Sequence, residues 1–223
     1  MRRSRLETRQ RILDAAYGLF WRQGFLRVSM DEIAARANIT KRALYQHFAS
    51  KDDLIKSALA HSSEFALDRL RRFKRPADIH EFIGSYFGQL SDWAAKPKWS
   101  GGGFTRVVVE LADLRGHPAR SIARKHKAAV EQWLTEAISA ARVPSAPQHA
   151  REILLLTEGA MILMLIHGDR SYARAAELAA KELVRPKRTR GQSLGLRIGP
   201  RSRQRKSTTT SGRQSATRSA GPD

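Results

Sequence analysis

The stretch that decides the fold of this chain runs from Val28 to Lys51 and reads VSMDEIAARANITKRALYQHFASK. Ser29 and Thr40 each predict a helix start, because their side-chain oxygens commonly cap the first turn of a helix. Glu32 follows Ser29 at the spacing of a capping box. Asn38, between the two helices, tolerates the left-handed backbone that a tight turn needs. We therefore predict a helix-turn-helix.

The outward side of the second helix indicates what it does. Leu44 and Phe48 are spaced to face a core, which leaves their neighbours exposed to solvent. These neighbours include no acid, and each can donate a hydrogen bond: Lys41, Arg42, Tyr45, Gln46 and His47. Such side chains suit the base edges and phosphates of a DNA major groove. The alternative is the solvated face of an ordinary helix.

Helices are also predicted on both sides of this stretch. Residues 5–23 place their apolar side chains at helical spacing, and Gly24 is suited to end that helix. Ser50, with Asp53 three residues on, predicts a further helix start. No clear helix breaker follows before Pro76, so this helix is expected to be long.

The N-terminal residues resemble the N-terminal domain of the tetracycline-repressor (TetR) family over roughly residues 8–60. The residues that carry the resemblance are Ile12-Leu13-Asp14-Ala15-Ala16, Leu19-Phe20, Gly24-Phe25, Ile33-Ala34, Leu44-Tyr45, His47-Phe48 and Lys51-Asp52-Asp53-Leu54. The resemblance implies a dimeric bacterial transcription regulator, usually a repressor, released from its operator when a small molecule binds the larger C-terminal domain. Asn38 and Arg42 stand where the family commonly has glycine, and Arg42 is expected to change which bases are read.

The chemistry of the residues and the resemblance together assign the DNA contacts. The residues predicted to read bases are Lys41, Arg42, Ala43 and Gln46. The residues predicted to hold phosphates are Tyr45, His47 and Lys51, with Ser29 and Thr40 contacting phosphate from helix starts. A two-fold symmetric dimer reads a two-fold symmetric site, so the expected partner is double-stranded DNA carrying a palindromic operator.

The chain has 223 residues and a formal net charge of +20, which is extreme for this length. Such a charge indicates a polyanionic partner, nucleic acid first and an anionic membrane surface second. The chain has no cysteine, which excludes disulfides and thiolate metal sites and suits a reducing cytoplasm. The sequence shows neither a signal peptide nor an apolar run of about 18 residues. We expect a cytoplasmic, nucleoid-associated protein without a membrane partner, cofactor or metal.

The rest of the folded chain is predicted to be helical, which makes the fold class all-α. Further helices are expected over residues 76–96, 104–113 and 118–142. The three valines at 107–109 are also compatible with a strand, but their helical neighbours favour a helix. The predicted domains are a helix-turn-helix domain over 1–60, an α-helical ligand-binding and dimerisation domain over 61–185, and a disordered basic tail over 186–223.

Two helices near the end of the second domain predict a homodimer. Residues 148–167 are apolar almost all round and need cover on every side. Gly168 turns the chain into a partner helix over residues 172–184. We predict that these helices, between about 148 and 184, pair with their symmetry mates as a four-helix interface. The alternative is a buried hairpin within a monomer.

Large apolar residues of the second domain are candidates for a ligand pocket. They are Phe82, Tyr86, Phe87, Trp93, Phe104, Val108, Leu111, Trp133, Met161 and Leu165. Small-molecule sites are mostly lined by side chains of this kind, so the expected effector is small and apolar. The same residues are also explained as ordinary core.

One serine lies in a string that looks catalytic. Gly191, Ser193 and Gly195 have the spacing of a nucleophile elbow. An elbow needs a downstream histidine, and no histidine follows Ser193. We predict no enzyme and no catalytic residue. The alternative function is an architectural, nucleoid-type protein that binds DNA through its basic surface and tail, without an operator or inducer.

Overall fold

The computed structural model describes residues 4–114 and 116–185, and every regular element within them is a helix. In chain order they are α1 (Arg5–Gln23), α2 (Met30–Arg36), α3 (Lys41–His47), α4 (Lys51–Arg71), α5 (Ile79–Ala94), α6 (Gly103–Glu110), α7 (Pro118–Ala140), α8 (Ala146–His167) and α9 (Ser171–Leu183). The all-α prediction is confirmed. None of these helices is long and apolar enough to span a bilayer. The predicted tail and the string around Ser193 lie outside the described residues.

The helix-turn-helix forms as its caps predict. Ser29 Oγ accepts the N–H of Glu32 at 3.2 Å, and Glu32 Oε2 accepts the N–H of Ser29 at 2.7 Å, which completes the capping box. Thr40 Oγ1 accepts the N–H of Ala43 at 3.1 Å and so caps α3. Between the two helices Asn38 has φ 51, the left-handed conformation predicted for the turn.

A first core joins α1 to α4 and excludes solvent almost completely. Its largest side chains are Ile12, Phe20, Phe25, Ile33, Leu44, Phe48, Leu54, Ile55 and Leu59, each at most 1% exposed. Phe25 folds back on α1 and stacks on Phe20, with 5.2 Å between ring centroids. Residues from much later in the chain complete this core, namely Phe104 and Val107 of α6 and Leu111 behind it. The N-terminal helices therefore pack against α6 as well as against each other.

Helix α4 contributes to two cores. Leu54 and Leu59, in its first half, belong to the first core, whereas Leu67 and Leu70 pack against the second. The sequence-based domain boundary at residue 60 falls inside this helix. One rigid helix thus connects the DNA-binding candidate to the remaining helices.

The second core lies between α5, α7, α8 and α9. Its buried side chains include Phe82, Ile83, Phe87, Trp133, Leu134, Ile138, Ile153, Met161, Met164, Ala176 and Ala180. Helix α8 buries one side in this core and leaves the other side apolar and exposed. The exposed apolar residues of α8 and α9 are Leu155, Ile162, Leu163, Leu165, Ile166 and Leu178. The segment at 107–109 is helical, so its strand alternative is wrong.

Candidate DNA interface and ligand cavity

The face of α3 opposite the first core is polar and accessible. Leu44 is fully buried, whereas Arg42 and Gln46 are exposed and Tyr45 is 47% exposed. Ala43 and His47 are half-buried at the edges of this face. The structure thus brings the predicted base-reading residues together on one surface. Whether they contact DNA stays a prediction.

Lys41 is engaged by a neighbour in the free protein. Its Nζ donates to Asp31 Oδ2 of α2 at 2.9 Å, and this contact raises the pKa of Lys41. The pair lies on the surface, where water and salt screen the attraction. A phosphate or base edge would therefore compete with Asp31 for an ammonium that is already in place.

Lys51 approaches the same surface from the start of α4. Its Nζ donates to the backbone carbonyl of Leu26 at 2.7 Å, and burial lowers its pKa. The side chain is half-buried, so part of it remains open to solvent. In the free protein Lys51 therefore also stabilises the turn before α2.

Arg5, which the sequence places in a basic N-terminal arm suited to phosphates, and Arg9, which the sequence reasoning missed, extend the basic face of α3 along α1. The guanidinium of Arg9 lies 4.8 Å from the ring centroid of Phe48, and its Nη2 donates to Ser57 Oγ at 3.3 Å. Burial, followed by the charges of Arg5 and Arg9, lowers the pKa of His47. Arg5 and Arg9 stand four residues apart at the start of α1, and this spacing was the available signal.

A cavity of about 240 Å³ lies where α1, α4, α5, α6, α7 and α8 meet. Its aromatic lining consists of Tyr17, Trp21, Phe65, Phe73, Tyr86, Trp93 and Phe104. Its other lining residues include Arg69, Gln89, His126, Lys127, Thr157, Glu158 and Met161. The combination of an apolar wall and a few polar groups is typical of a small-molecule site.

The acid in this cavity is already balanced by a base. Glu158 accepts hydrogen bonds from Lys127 Nζ and, through its other oxygen, from Thr105 Oγ1. Both side chains of the Lys127–Glu158 pair are about a quarter exposed, at 27% and 24%. The pair therefore adds no net charge to the wall.

Two further polar groups in the wall are neutral at neutral pH. Burial lowers the pKa of His126 to about 4, with a smaller contribution from the charge of Lys127. The imidazole stacks on Phe104 at 3.9 Å between centroids, and its Nδ1 lies 3.0 Å from Ser63 Oγ. Burial raises the pKa of Tyr86 to about 12, and its hydroxyl accepts a hydrogen bond from Thr157 at 3.3 Å.

The structure divides the residues predicted to line a ligand pocket. The cavity is lined by Tyr86, Trp93, Phe104 and Met161. The remaining six do not line it: Phe82, Phe87, Val108, Leu111, Trp133 and Leu165. Phe82, Phe87 and Trp133 instead pack inside the second core, and Leu111 packs inside the first. Val108 lines an outer groove. Leu165 is 46% exposed, because other residues of α8 form its buried face.

The lining residues that were not anticipated from the sequence include Tyr17, Trp21, Phe65 and Arg69. Tyr17 and Trp21 stack on each other at 4.4 Å between centroids and form a second apolar stripe on α1, beside the stripe that enters the first core. A helix with two apolar stripes contacts two partners, and this was the signal available in the sequence.

Helix α6 connects the cavity to the turn before the helix-turn-helix. Glu110 Oε2 accepts the backbone N–H groups of Phe25 at 2.7 Å and of Leu26 at 3.0 Å. Arg106 holds this carboxylate in place, since its Nε donates to Glu110 Oε1 at 2.6 Å. The Nη1 of Arg106 also donates to the carbonyl of Trp21 at 3.1 Å.

The first residue of α6 is pressed against the cavity wall. A Cβ atom on Gly103 would lie 2.0 Å from Cε2 of Trp21, so only glycine fits there. Gly24 is restricted in a similar way, with φ 100 and Arg106 Nη2 2.8 Å from the position of a Cβ atom. Both close approaches hold α6 against α1 and its C-terminal turn.

No three histidine or acidic side chains are arranged as metal ligands within residues 4–114 and 116–185.

Comparison with known proteins agrees with this geometry. Residues 12–58 match the family model described as bacterial regulatory proteins, tetR family. The HTH-type transcriptional regulator SrpR of Pseudomonas putida is 44% identical over 54 residues, which is 24% of this chain and 25% of that relative. The chain thus covers well under two thirds of that curated relative.

Solved structures share the fold over a longer stretch. The reduced form of NemR from E. coli has a TM-score of 0.73 at 21% identity and covers 80% of this chain and 98% of its own. The multidrug binding protein EbrR complexed with ethidium has a TM-score of 0.62 at 22% identity and covers 80% and 99%. The family match therefore concerns the N-terminal helix-turn-helix domain, which resembles that of bacterial regulatory proteins of the tetR family, whereas the solved structures show the fold of the longer stretch.

Proposed function

We propose that this protein is a transcriptional regulator that binds a palindromic operator as a homodimer and is released from it by a small molecule. The observation that carries the proposal is the outer face of α3, which holds hydrogen-bond donors on a capped helix above a closed apolar core. A rigid helix with donors on one side matches the recognition element of a major groove. The protein would act on chromosomal DNA in the cytoplasm.

Base reading is proposed for Lys41, Arg42, Ala43 and Gln46. Phosphate contacts are proposed for Ser29, Thr40, Tyr45, His47 and Lys51, and Arg5 and Arg9 extend the same surface. Because the ring of His47 is neutral near pH 7, it would act there as a neutral donor, and an approaching phosphate would favour its protonation.

Homodimerisation through α8 and α9 is supported by their outer faces. On α8, Leu155 is 68% exposed and Ile166 is 65% exposed, and on α9 Leu178 is 51% exposed, which is unusual for apolar residues on two adjacent helices of a folded protein. A shallow groove between the two helices is lined largely by alanine and leucine, so a partner helix can approach its backbone closely. Pairing with a second copy would cover both features.

Release by a ligand is supported by the position of the cavity. Trp21 lines the cavity, and its carbonyl accepts from Arg106, whose partner Glu110 holds the turn before α2. A ligand that moves this wall would move the turn and change the spacing of the two α3 helices in a dimer. EbrR, which shares the fold, binds ethidium.

Selection from random duplex DNA tests the proposal. The expected result is enrichment of a palindromic motif whose half-sites lie about one helical turn or a multiple of it apart. Failure to enrich any motif, with binding that depends only on salt, would contradict the regulator and support the architectural alternative. Sedimentation at micromolar concentration tests the dimer separately, and a monomer would remove it.

A further inference from the structure

The charge of the ligand can be inferred from the ionisable groups in the cavity wall. Lys127 neutralises Glu158, and His126 carries no charge at neutral pH. Arg69 is the remaining charged group of the lining, and no acidic side chain of the described residues forms an ion pair with it. The wall thus carries one uncompensated positive charge.

Neither Arg69 nor Arg71, the two cations in the last turn of α4, forms an ion pair within the described residues, but only Arg69 lines the cavity. Arg72 pairs with Asp68 at 2.6 Å, and Arg75 lies 3.6 Å from Glu136. Arg69 instead faces the cavity, where its charge acts on the Tyr17 phenol. An unpaired guanidinium at the edge of an aromatic cavity is suited to a planar carboxylate, which it can bind through two parallel hydrogen bonds.

Other donors surround this guanidinium. Ser62, Gln89 and Tyr17 line the same cavity. Arg69, Gln89 and Phe65 are exposed, so they form the mouth of the cavity, whereas Ser62 is buried. A carboxylate at the mouth would therefore find several donors and no acid.

The interior of the cavity favours a flat, apolar body. Trp21 meets Phe104 edge to face at 6.1 Å between centroids, and Tyr86 and Trp93 line the opposite helix. The volume of about 240 Å³ is just below the usual range for drug-sized ligands, about 300–1,000 Å³. It accommodates one or two fused rings.

The charge outside the cavity has the same sign. An outer groove between α6, α7 and α8 shares Lys127 and Glu158 with the cavity wall. Arg120 and Arg124 also line this groove, and neither forms an ion pair within the described residues. Positive charge on this part of the surface raises the local concentration of anions and lowers that of cations.

We propose that the cavity binds a planar aromatic monocarboxylate of one or two rings, with the carboxylate held by Arg69 and the rings between the aromatic walls. This inference rests on the proposed function, in which the cavity is the sensory site. It adds the chemical class of the effector and the residue that selects it. The effector expected from the sequence was apolar, and the structure adds an anionic end to it.

Isothermal titration of the full chain with two matched probes tests the proposal. Naphthoate and naphthylmethylammonium share the same rings and carry opposite charges. Naphthoate is expected to bind at least about tenfold more tightly, because only it can pair with the guanidinium. Equal affinities, tighter binding of the ammonium probe, or no binding of either probe at millimolar concentration would overturn the proposal.

Two variants separate Arg69 from the general positive charge of the protein. Arg69→Gln is expected to lower the affinity for naphthoate about tenfold and to leave the ammonium probe unchanged. Arg71→Gln is the matched control, because Arg71 is exposed on the same helix but does not line the cavity. If both variants lose the same affinity, long-range charge explains the preference and Arg69 is not the carboxylate site.

The failure of this inference differs from the failure of the proposed function. If the chain selects a palindrome but does not bind naphthoate, the proposed ligand class is wrong and the proposed function stands. If the chain binds naphthoate through Arg69 but selects no DNA motif, the proposed ligand site stands and the proposed regulator function is wrong. A thermal melt of each variant shows that it is folded.

Discussion

The first and second cores use the same kinds of side chain but differ in how fully they are packed. In the first core, most of the large side chains are at most 1% exposed. The second core borders a cavity of about 240 Å³ and leaves the buried Nε1 of Trp133 without a hydrogen-bond partner in the described residues. The comparison indicates that the helices around α3 are closely packed, whereas the second core borders empty space.

The largest difference between the cores is expected for matched leucine truncations. Leu59→Ala in the first core should lower the free energy of unfolding by about 4 kcal/mol, because closely packed surroundings cannot collapse onto the lost volume. Leu90→Ala, at the cavity wall, should cost about 2 kcal/mol, since the removed atoms already border empty space. Urea unfolding measures both, and equal costs would remove the difference between the cores.

Glu110, at the end of α6, holds the turn before α2, and its loss should lower the free energy of unfolding. Glu110→Ala leaves the N–H groups of Phe25 and Leu26 without their acceptor and should cost about 1–3 kcal/mol. Glu136→Ala is the control, because its 3.6 Å contact with Arg75 is exposed and should cost under about 0.5 kcal/mol. Similar unfolding midpoints for the two variants would show that the Glu110 contacts contribute little.

Substitutions on the α3 face should change DNA binding without changing ligand binding. Arg42→Ala is expected to cost about 1–3 kcal/mol at one base pair of the operator and to relax preference there. Lys51→Ala should weaken binding to all sequences alike. It should also reduce the slope of log affinity against log salt concentration by about one, as expected for the loss of one phosphate contact. Competition binding with operator variants distinguishes the two patterns, and the reverse result would exchange their roles.

The second core should also respond to pH through His126. Its pKa of about 4 in the folded protein lies below the ordinary value of 6.5, so the unfolded chain takes up the proton first. The contribution of His126 to the free energy of unfolding is fully present above pH 6.5. It falls, by at most about 1.4 kcal/mol per pH unit, as the pH drops towards 4. In His126→Gln, this part of the pH dependence should be absent from the urea unfolding midpoints measured between pH 6.5 and pH 4. An unchanged pH profile would contradict it.

The smallest effect is expected at helix starts. Thr40→Ala removes the side-chain cap of α3 and should cost about 1 kcal/mol. Ser145→Ala, at the start of α8, should cost much less, because Ser145 makes no side-chain cap. Thermal unfolding of the two variants measures both losses of stability. A larger loss for Ser145→Ala than for Thr40→Ala would show that the Thr40 cap contributes little.

The sequence predicted the N-terminal part in detail because its signals are local. Ser29, Glu32, Asn38 and Thr40 act within three or four residues of their own positions, so the chain order contains the whole contact. The helices of the second part were also predicted, since apolar spacing alone determines them. These signals do not depend on how distant helices pack.

The cavity was predicted poorly because its wall is assembled from six helices. Phe82 and Trp133 have the same apolar character as Tyr86 and Trp93, yet the first pair fills the core and the second lines the cavity. Which of them borders empty space depends on the tilt of neighbouring helices, which periodicity does not determine. The position of Arg69 in the cavity wall could not be predicted either, because nothing in the local sequence distinguishes Arg69 from the adjacent cations.

The contact between Gly103 and Trp21 also limits how the protein can adapt. A side chain at this point would have rotatable bonds that absorb a small displacement of the indole, whereas the bare backbone of α6 has none. Whatever pushes the ring must therefore move the helix as a unit or be rejected. Gly103 thus ties the position of the Trp21 indole directly to the position of the α6 backbone.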